Sequence, residues 1–148
     1  MPASQSATAH RLLQLGVLLF LIGLVVGLTL PVLANPRMGL ASHMEGVMNG
    51  LFLIALGLVW PTLTSSPGMQ RLTFLLAVYG TFANLVATFL SAAWGAGAPM
   101  MPIAAGGHEG SSVQELVIRV MLVSLALADI AACVLVLLGL RRPPLASA

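Results

Sequence analysis

Four long apolar runs, at about residues 12–33, 42–61, 70–94 and 111–140, constrain this chain more than any other feature. Each supplies the roughly 20 residues that a helix needs to cross about 30 Å of hydrocarbon. In lipid the backbone must satisfy its own polar groups, so runs of this length read as spanning α-helices. Charged residues make up only 7% of the chain and the mean hydropathy is +1.04. A soluble domain carries about 25% charged residues, so most of this surface faces something other than water. The expected fold is therefore all-α: an integral membrane four-helix bundle forming one domain over residues 1–148.

The first run, of about 22 residues, exceeds the apolar region of a signal peptide, and three similar runs follow it. It reads as a retained helix. Met1 to His10 is small and polar and reads as a disordered tail. Asn35-Pro36-Arg37-Met38-Gly39 reads as turn chemistry, and Ser42 reads as the N-cap of the second helix. Thr62 to Met69 is a short turn, and Gly95 to Gly110 a Gly/Ala/Pro-rich loop with Met100-Met101-Pro102. Arg11, Arg71, Arg141 and Arg142 fall on one side of the membrane, and Arg37 on the other. The positive-inside rule then places both termini and the 64–69 turn in the cytoplasm, as for a multi-pass protein of a bacterial-type cytoplasmic membrane. Arg119, one turn after Glu115 inside the fourth helix, is set up for an i,i+4 ion pair.

The pI near 9.5 does not point to nucleic acid, because the chain has no lysine and its six arginines are scattered. The single cysteine, Cys133, cannot form an internal disulfide and reads as a small packing residue. Gly16, Gly23 and Gly27 in the first helix, and Gly46, Gly50 and Gly57 in the second, are small residues at helix spacing. They let helices approach closely, within one subunit or between copies; a homo-oligomer is expected.

Polar groups inside a membrane need a partner or a task. Here they concentrate on two helices. His43, Glu45 and Asn49 lie near the start of the second, while Thr81, Asn84, Thr88 and Ser91 share one face of the third. That face either hydrogen-bonds to neighbouring helices or lines a cavity with Asn49. His43 lacks a second ligand at H-x-x-x-H spacing, so it is either a hydrogen-bonded side chain or the axial ligand of a haem, where the porphyrin supplies four nitrogens. Asp129, well inside the fourth helix, is expected to be neutral or to hydrogen-bond to a group such as Asn49 or Asn84. His108 and Glu109 read as solvated loop residues. No P-loop, dinucleotide fingerprint or nucleophile–base set is present.

The block Asn35-Pro36-Arg37-Met38-Gly39-Leu40 is followed by His43-x-Glu45-Gly46-x-Met48-Asn49-Gly50. With Tyr79-Gly80-Thr81-x-Ala83-Asn84, Trp94-Gly95-Ala96-Gly97 and Met100-Met101-Pro102, it resembles hydroxylaminobenzene mutase over nearly the whole chain after residue 11. A more distant resemblance, to styrene oxide isomerase, rests on His43, Asn49-Gly50, Pro61-Thr62-Leu63 and Ala83-Asn84. The resemblances imply a homotrimeric membrane isomerase binding haem b, with ferric iron as a Lewis acid. His43 would be the iron ligand and Arg37 a further cofactor-binding residue. Asn49 and Asn84 would orient the substrate, and Glu45 would shuttle protons. The implied substrate is hydroxylaminobenzene, a small aromatic hydroxylamine, converted to 2-aminophenol as in nitroaromatic degradation. An aspartate and a tyrosine of the styrene oxide pattern are Gly80 and Thr88 here, which favours the hydroxylamine over an aryl epoxide. The alternatives are an aryl epoxide isomerase and a non-enzymatic membrane subunit.

Overall fold

The computed structural model describes residues 3–140, which are helical apart from short connections and contain no strand. The long helices are α1 (Ala3–Thr29), α2 (Pro36–Val59), α3 (Pro67–Trp94) and α5 (Ser112–Gly139); α4 (Pro102–Ala105) is a single turn in the loop before α5. All four long helices are apolar and long enough to cross a membrane. Arg141 and Arg142 lie outside the described residues.

The helix starts differ from expectation because capping, not hydropathy, sets them. Asn35 rather than Ser42 caps α2: its side chain accepts from the Met38 N–H, and Pro36 follows at the first helical position. Proline suits that position, where its missing N–H would have had no helical partner. Ser42 lies inside the helix and donates to the Leu85 carbonyl at 3.3 Å. Ser111 caps α5 in a reciprocal capping box with Gln114.

The expected disordered tail is also corrected, since α1 already begins at Ala3. Gln5 is buried and its Nε2 donates to the carbonyls of Trp60 (3.2 Å) and Leu63 (3.3 Å). Those carbonyls belong to the turn that closes α2, where helical partners run out; the Trp60 carbonyl also accepts from the Leu63 N–H at 3.2 Å. Gln5→Ala is expected to lower stability by about 1–2 kcal/mol, measured as a shift in the unfolding midpoint in mixed detergent micelles.

The principal contacts run α1–α2, α2–α3 and α3–α5, with α3 the most buried helix and α5 the least. Glycine draws α1 and α2 together. Gly16 lies against Gly50, Gly23 against Gly46, and Gly27 under the His43 ring. The glycine stripes thus serve a crossing within one chain. Trp60, Leu12, Leu19 and Leu53 fill the core below it. Cys133, expected to pack, is exposed on α5.

The opposite end is tied by Asn35. Its N–H donates to the Ala92 carbonyl at 2.9 Å, and its Nδ2 donates to the carbonyls of Ala104 and Ala105. One residue, through its backbone and its side chain, therefore joins the start of α2, the end of α3 and α4.

Candidate active site

Glu45 and Asn49 are one turn apart on α2, so their side chains share a face. Asn84 comes from the facing turn of α3. Glu45 Oε2 accepts from Asn84 Nδ2 at 2.8 Å and from Asn49 Nδ2 at 3.3 Å. Both bonds fall on one oxygen, so Oε1 is left for another partner. The three side chains are half-buried. The arrangement satisfies a carboxylate that would otherwise be costly at membrane depth, and both amide bonds leave its second oxygen to other partners.

His43 does not join them. Two residues of an α-helix turn through roughly 200°, which sets His43 on the α1 side of α2 and Glu45 on the α3 side. His43 Nδ1 lies 2.8 Å from the Gly23 carbonyl oxygen, and the ring packs where a side chain on Gly27 would be. The expected haem b is corrected accordingly. Among the described residues no group of three or more His, Cys, Asp or Glu side chains is placed to hold a metal ion. What the structure gives His43 is a contact between two helices. Arg37, assigned to the same cofactor, lies on an apolar groove of about 540 Å³ with Leu40, Met44, Met100 and Met101, its guanidinium beside Gly106.

The polar face of α3 divides. Thr81, Thr88 and Ser91 are buried, and each donates to a carbonyl of its own helix four residues back, at 2.7–2.8 Å. This back-bonding is the usual way for a hydroxyl inside a helix to be satisfied. Only Asn84 reaches across to another helix. Glu115 turns its carboxylate to the loop instead of setting up the expected pair with Arg119, and accepts from the N–H groups of Gly97 and Gly110. His108 Nδ1 lies 3.0 Å from the Ala105 carbonyl.

One placement was not foreseen. Asp129 on α5 sets its carboxyl group against the backbone of Gly80, in space that any side chain at position 80 would occupy. It makes no bond to Asn49 or Asn84; its Oδ1 is buried without a hydrogen-bond partner. The only sequence signal was a glycine one turn before Asn84, together with a lone carboxylate on another apolar helix.

A bundle of membrane-type helices holding a carboxylate between two carboxamides has the parts of an acid–base enzyme for a small, apolar substrate. The chain belongs to the styrene oxide isomerase family, whose model matches residues 8–141. It is 54% identical over 143 residues to hydroxylaminobenzene mutase HabB of Ectopseudomonas oleovorans, covering 97% of this chain and 87% of that one. To hydroxylaminobenzene mutase HabA of the same organism it is 48% identical over 127 residues, covering 86% and 94%. No solved structure matches the chain significantly. The chain is thus an isomerase, and the reading as a non-enzymatic subunit is set aside.

Proposed function

We propose that the chain converts hydroxylaminobenzene to 2-aminophenol within the membrane, with Glu45 as the proton-transfer group. The observation that supports this most directly is the clamp on Glu45 Oε2 by Asn49 and Asn84. The reaction is redox-neutral: oxygen leaves nitrogen and returns to the adjacent ring carbon, while a ring hydrogen is exchanged for one on nitrogen. A carboxylate facing the ring can take that hydrogen as a proton and return it to nitrogen. The two carboxamides fix the angle of the carboxylate, and their side-chain oxygens remain to accept from the substrate N–H. Surrounding apolar helices suit the aromatic ring and keep bulk water from intercepting the reactive cation.

The family name raises styrene oxide as a second substrate. Against it stands Thr88, whose hydroxyl is committed to the carbonyls of Asn84 and Leu85. Incubating membranes that contain the chain with each compound decides between them. Formation of 2-aminophenol with styrene oxide left unchanged is the expected result; phenylacetaldehyde without aminophenol reverses the reading.

Asn49→Leu is expected to reduce turnover by about 10²-fold, because a displaced carboxylate no longer meets the reacting atoms. The share of 2-aminophenol relative to 4-aminophenol should fall with it, read by chromatography of the products. Unaltered rate and product ratio would remove Asn49 from the mechanism.

The chain acts as one unit in a bacterial-type cytoplasmic membrane, both termini cytoplasmic. Arg11 and Arg71 support this orientation by lining one groove with Thr8, Trp60 and Gln70, while Arg37 lies near α4. It assembles as a homo-oligomer, trimeric as the resemblance implies; cross-linking in native membranes reads the number.

A further inference from the structure

We propose that Asp129 is a second proton-transfer residue, giving a proton to the departing oxygen. The proposal rests on the reaction assigned above and on three features of the described residues. First, Asp129 is the chain's sole aspartate, and its carboxyl group fills the space that the absent side chain of Gly80 leaves on α3. Second, Gly80 and Asn84 stand one turn apart on the same face of α3. That face therefore meets Asp129 from α5 at one level and Glu45 from α2 at the next. Third, their hydrogen bonding is opposite in kind. Glu45 Oε2 already accepts two N–H groups, whereas Asp129 Oδ1 is buried with no donor facing it. A buried carboxyl oxygen without a donor is better suited to give a hydrogen bond than to receive one.

The rearrangement needs such a division, since it must protonate one atom and deprotonate another. The Asp129 carboxyl gives its proton to the hydroxyl oxygen, and the N–O bond breaks with its electron pair on oxygen, releasing water and an aryl nitrenium ion. That same water molecule, held in the site, adds its oxygen to the adjacent ring carbon and returns one proton to the Asp129 carboxylate. The hydrogen on that carbon passes as a proton to Glu45 and then to nitrogen. The product has the atoms of the substrate, both carboxyl groups are restored, and no oxidant or reductant is required.

Asp129→Asn keeps size and shape but cannot give an acidic proton. Its expected effect is a fall in kcat of about 10²–10⁴-fold, with KM for hydroxylaminobenzene moving by less than about threefold. The residual enzymatic rate, corrected for control membranes, should climb on acidification as hydronium takes over the donor's task. Among the described residues, Glu45 on α2 and Tyr79 on α3, the latter 2.6 Å from Ser124 Oγ, are the titratable groups on the elements facing this part of α5; Tyr79→Phe should leave the acid limb unaltered. Full activity of Asp129→Asn, or a lowered rate with the wild-type pH profile, overturns the proposal.

A measurement on the wild-type protein covers the case in which the variant does not fold. Benzyl alcohol has the shape of hydroxylaminobenzene with carbon in place of nitrogen, and so cannot react. In protein labelled with ¹³C in the aspartate carboxyl carbon, the only labelled site is Asp129. A protonated-carboxyl infrared band that moves with the label and shifts on adding benzyl alcohol supports the role. A label-sensitive band that ignores the alcohol, or no such band, rejects it. Lack of wild-type aminophenol formation would strike the assigned reaction; wild-type turnover with an equally fast Asp129→Asn would strike only this residue.

Discussion

Glu45→Gln should lower turnover of hydroxylaminobenzene by about 10²–10⁴-fold while the protein remains folded. The substitution is nearly isosteric, so packing between α2 and α3 is preserved. What changes is the chemistry of the group facing the ring, because an amide neither takes up nor releases a proton near neutral pH. The side-chain amides of Asn49 and Asn84 now point at Glu45 Oε2, and Gln can keep those two bonds by presenting its carbonyl oxygen. A large loss of kcat with an unshifted elution volume in detergent would therefore report proton transfer rather than collapse of the cluster. Glu45→Asp is the informative companion. It retains the carboxyl group but withdraws it by one methylene, so a partial loss is expected. A Glu45→Gln enzyme with wild-type kcat would show that the proton moves elsewhere.

The second large effect is on folding. Gly46→Leu should destabilise the protein by about 3 kcal/mol or more, at the upper end of what overpacking costs. A Cβ at position 46 would lie 2.5 Å from the Gly23 Cα and 3.1 Å from its nitrogen. Backbone atoms of a helix cannot rotate aside as a side chain can, so α1 and α2 would have to separate along their length. Their separation would also pull His43 from the Gly23 carbonyl. The expected outcome is little extractable folded protein, with the remainder unfolding at lower denaturant. Gly68→Ala provides the comparison, since nothing lies within 4 Å of a Cβ there; it should be neutral. Equal stability of the two variants would mean that the glycine seam does not hold α1 to α2.

The four helices are legible in the sequence because hydropathy over some 20 residues reports a property of the whole segment. Their ends are not, because an end is decided by one capping side chain. Asn35-Pro36 reads equally as a turn and as the opening of α2, and only the donors of Met38 and the acceptors near α4 distinguish the two. Gln5 reads as part of a loose tail for a related reason: its partners are carbonyls more than fifty residues away. Within the candidate site, the pairing of Glu45 with Asn49 follows from i,i+4 spacing, and Asn84 stands out on a polar face of α3. The same helical arithmetic separates His43 from Glu45, although proximity in sequence had grouped them. The hydroxyls of Thr81, Thr88 and Ser91 have the spacing of a cavity lining, yet each bonds to its own helix, a choice that spacing does not encode. The meeting of Asp129 with Gly80 depends on the axial register of α5 against α3, and no local pattern carries that register.

The glycine seam has a consequence for how the enzyme can change. Where two backbones touch with no side chains between them, there are no rotamers to rearrange, so α1 and α2 form a stiff plate that holds Glu45 at a fixed height. The other wall, α5, rests on α3 through side chains, and substitutions there can tilt or slide it by small amounts. Of the two helices that carry Glu45 and Asp129, α2 is thus held by a contact that cannot yield and α5 by one that can. Altering residues on α5 is then the route by which such a scaffold can admit a larger or differently shaped ring without dismantling the Glu45–Asn49–Asn84 cluster.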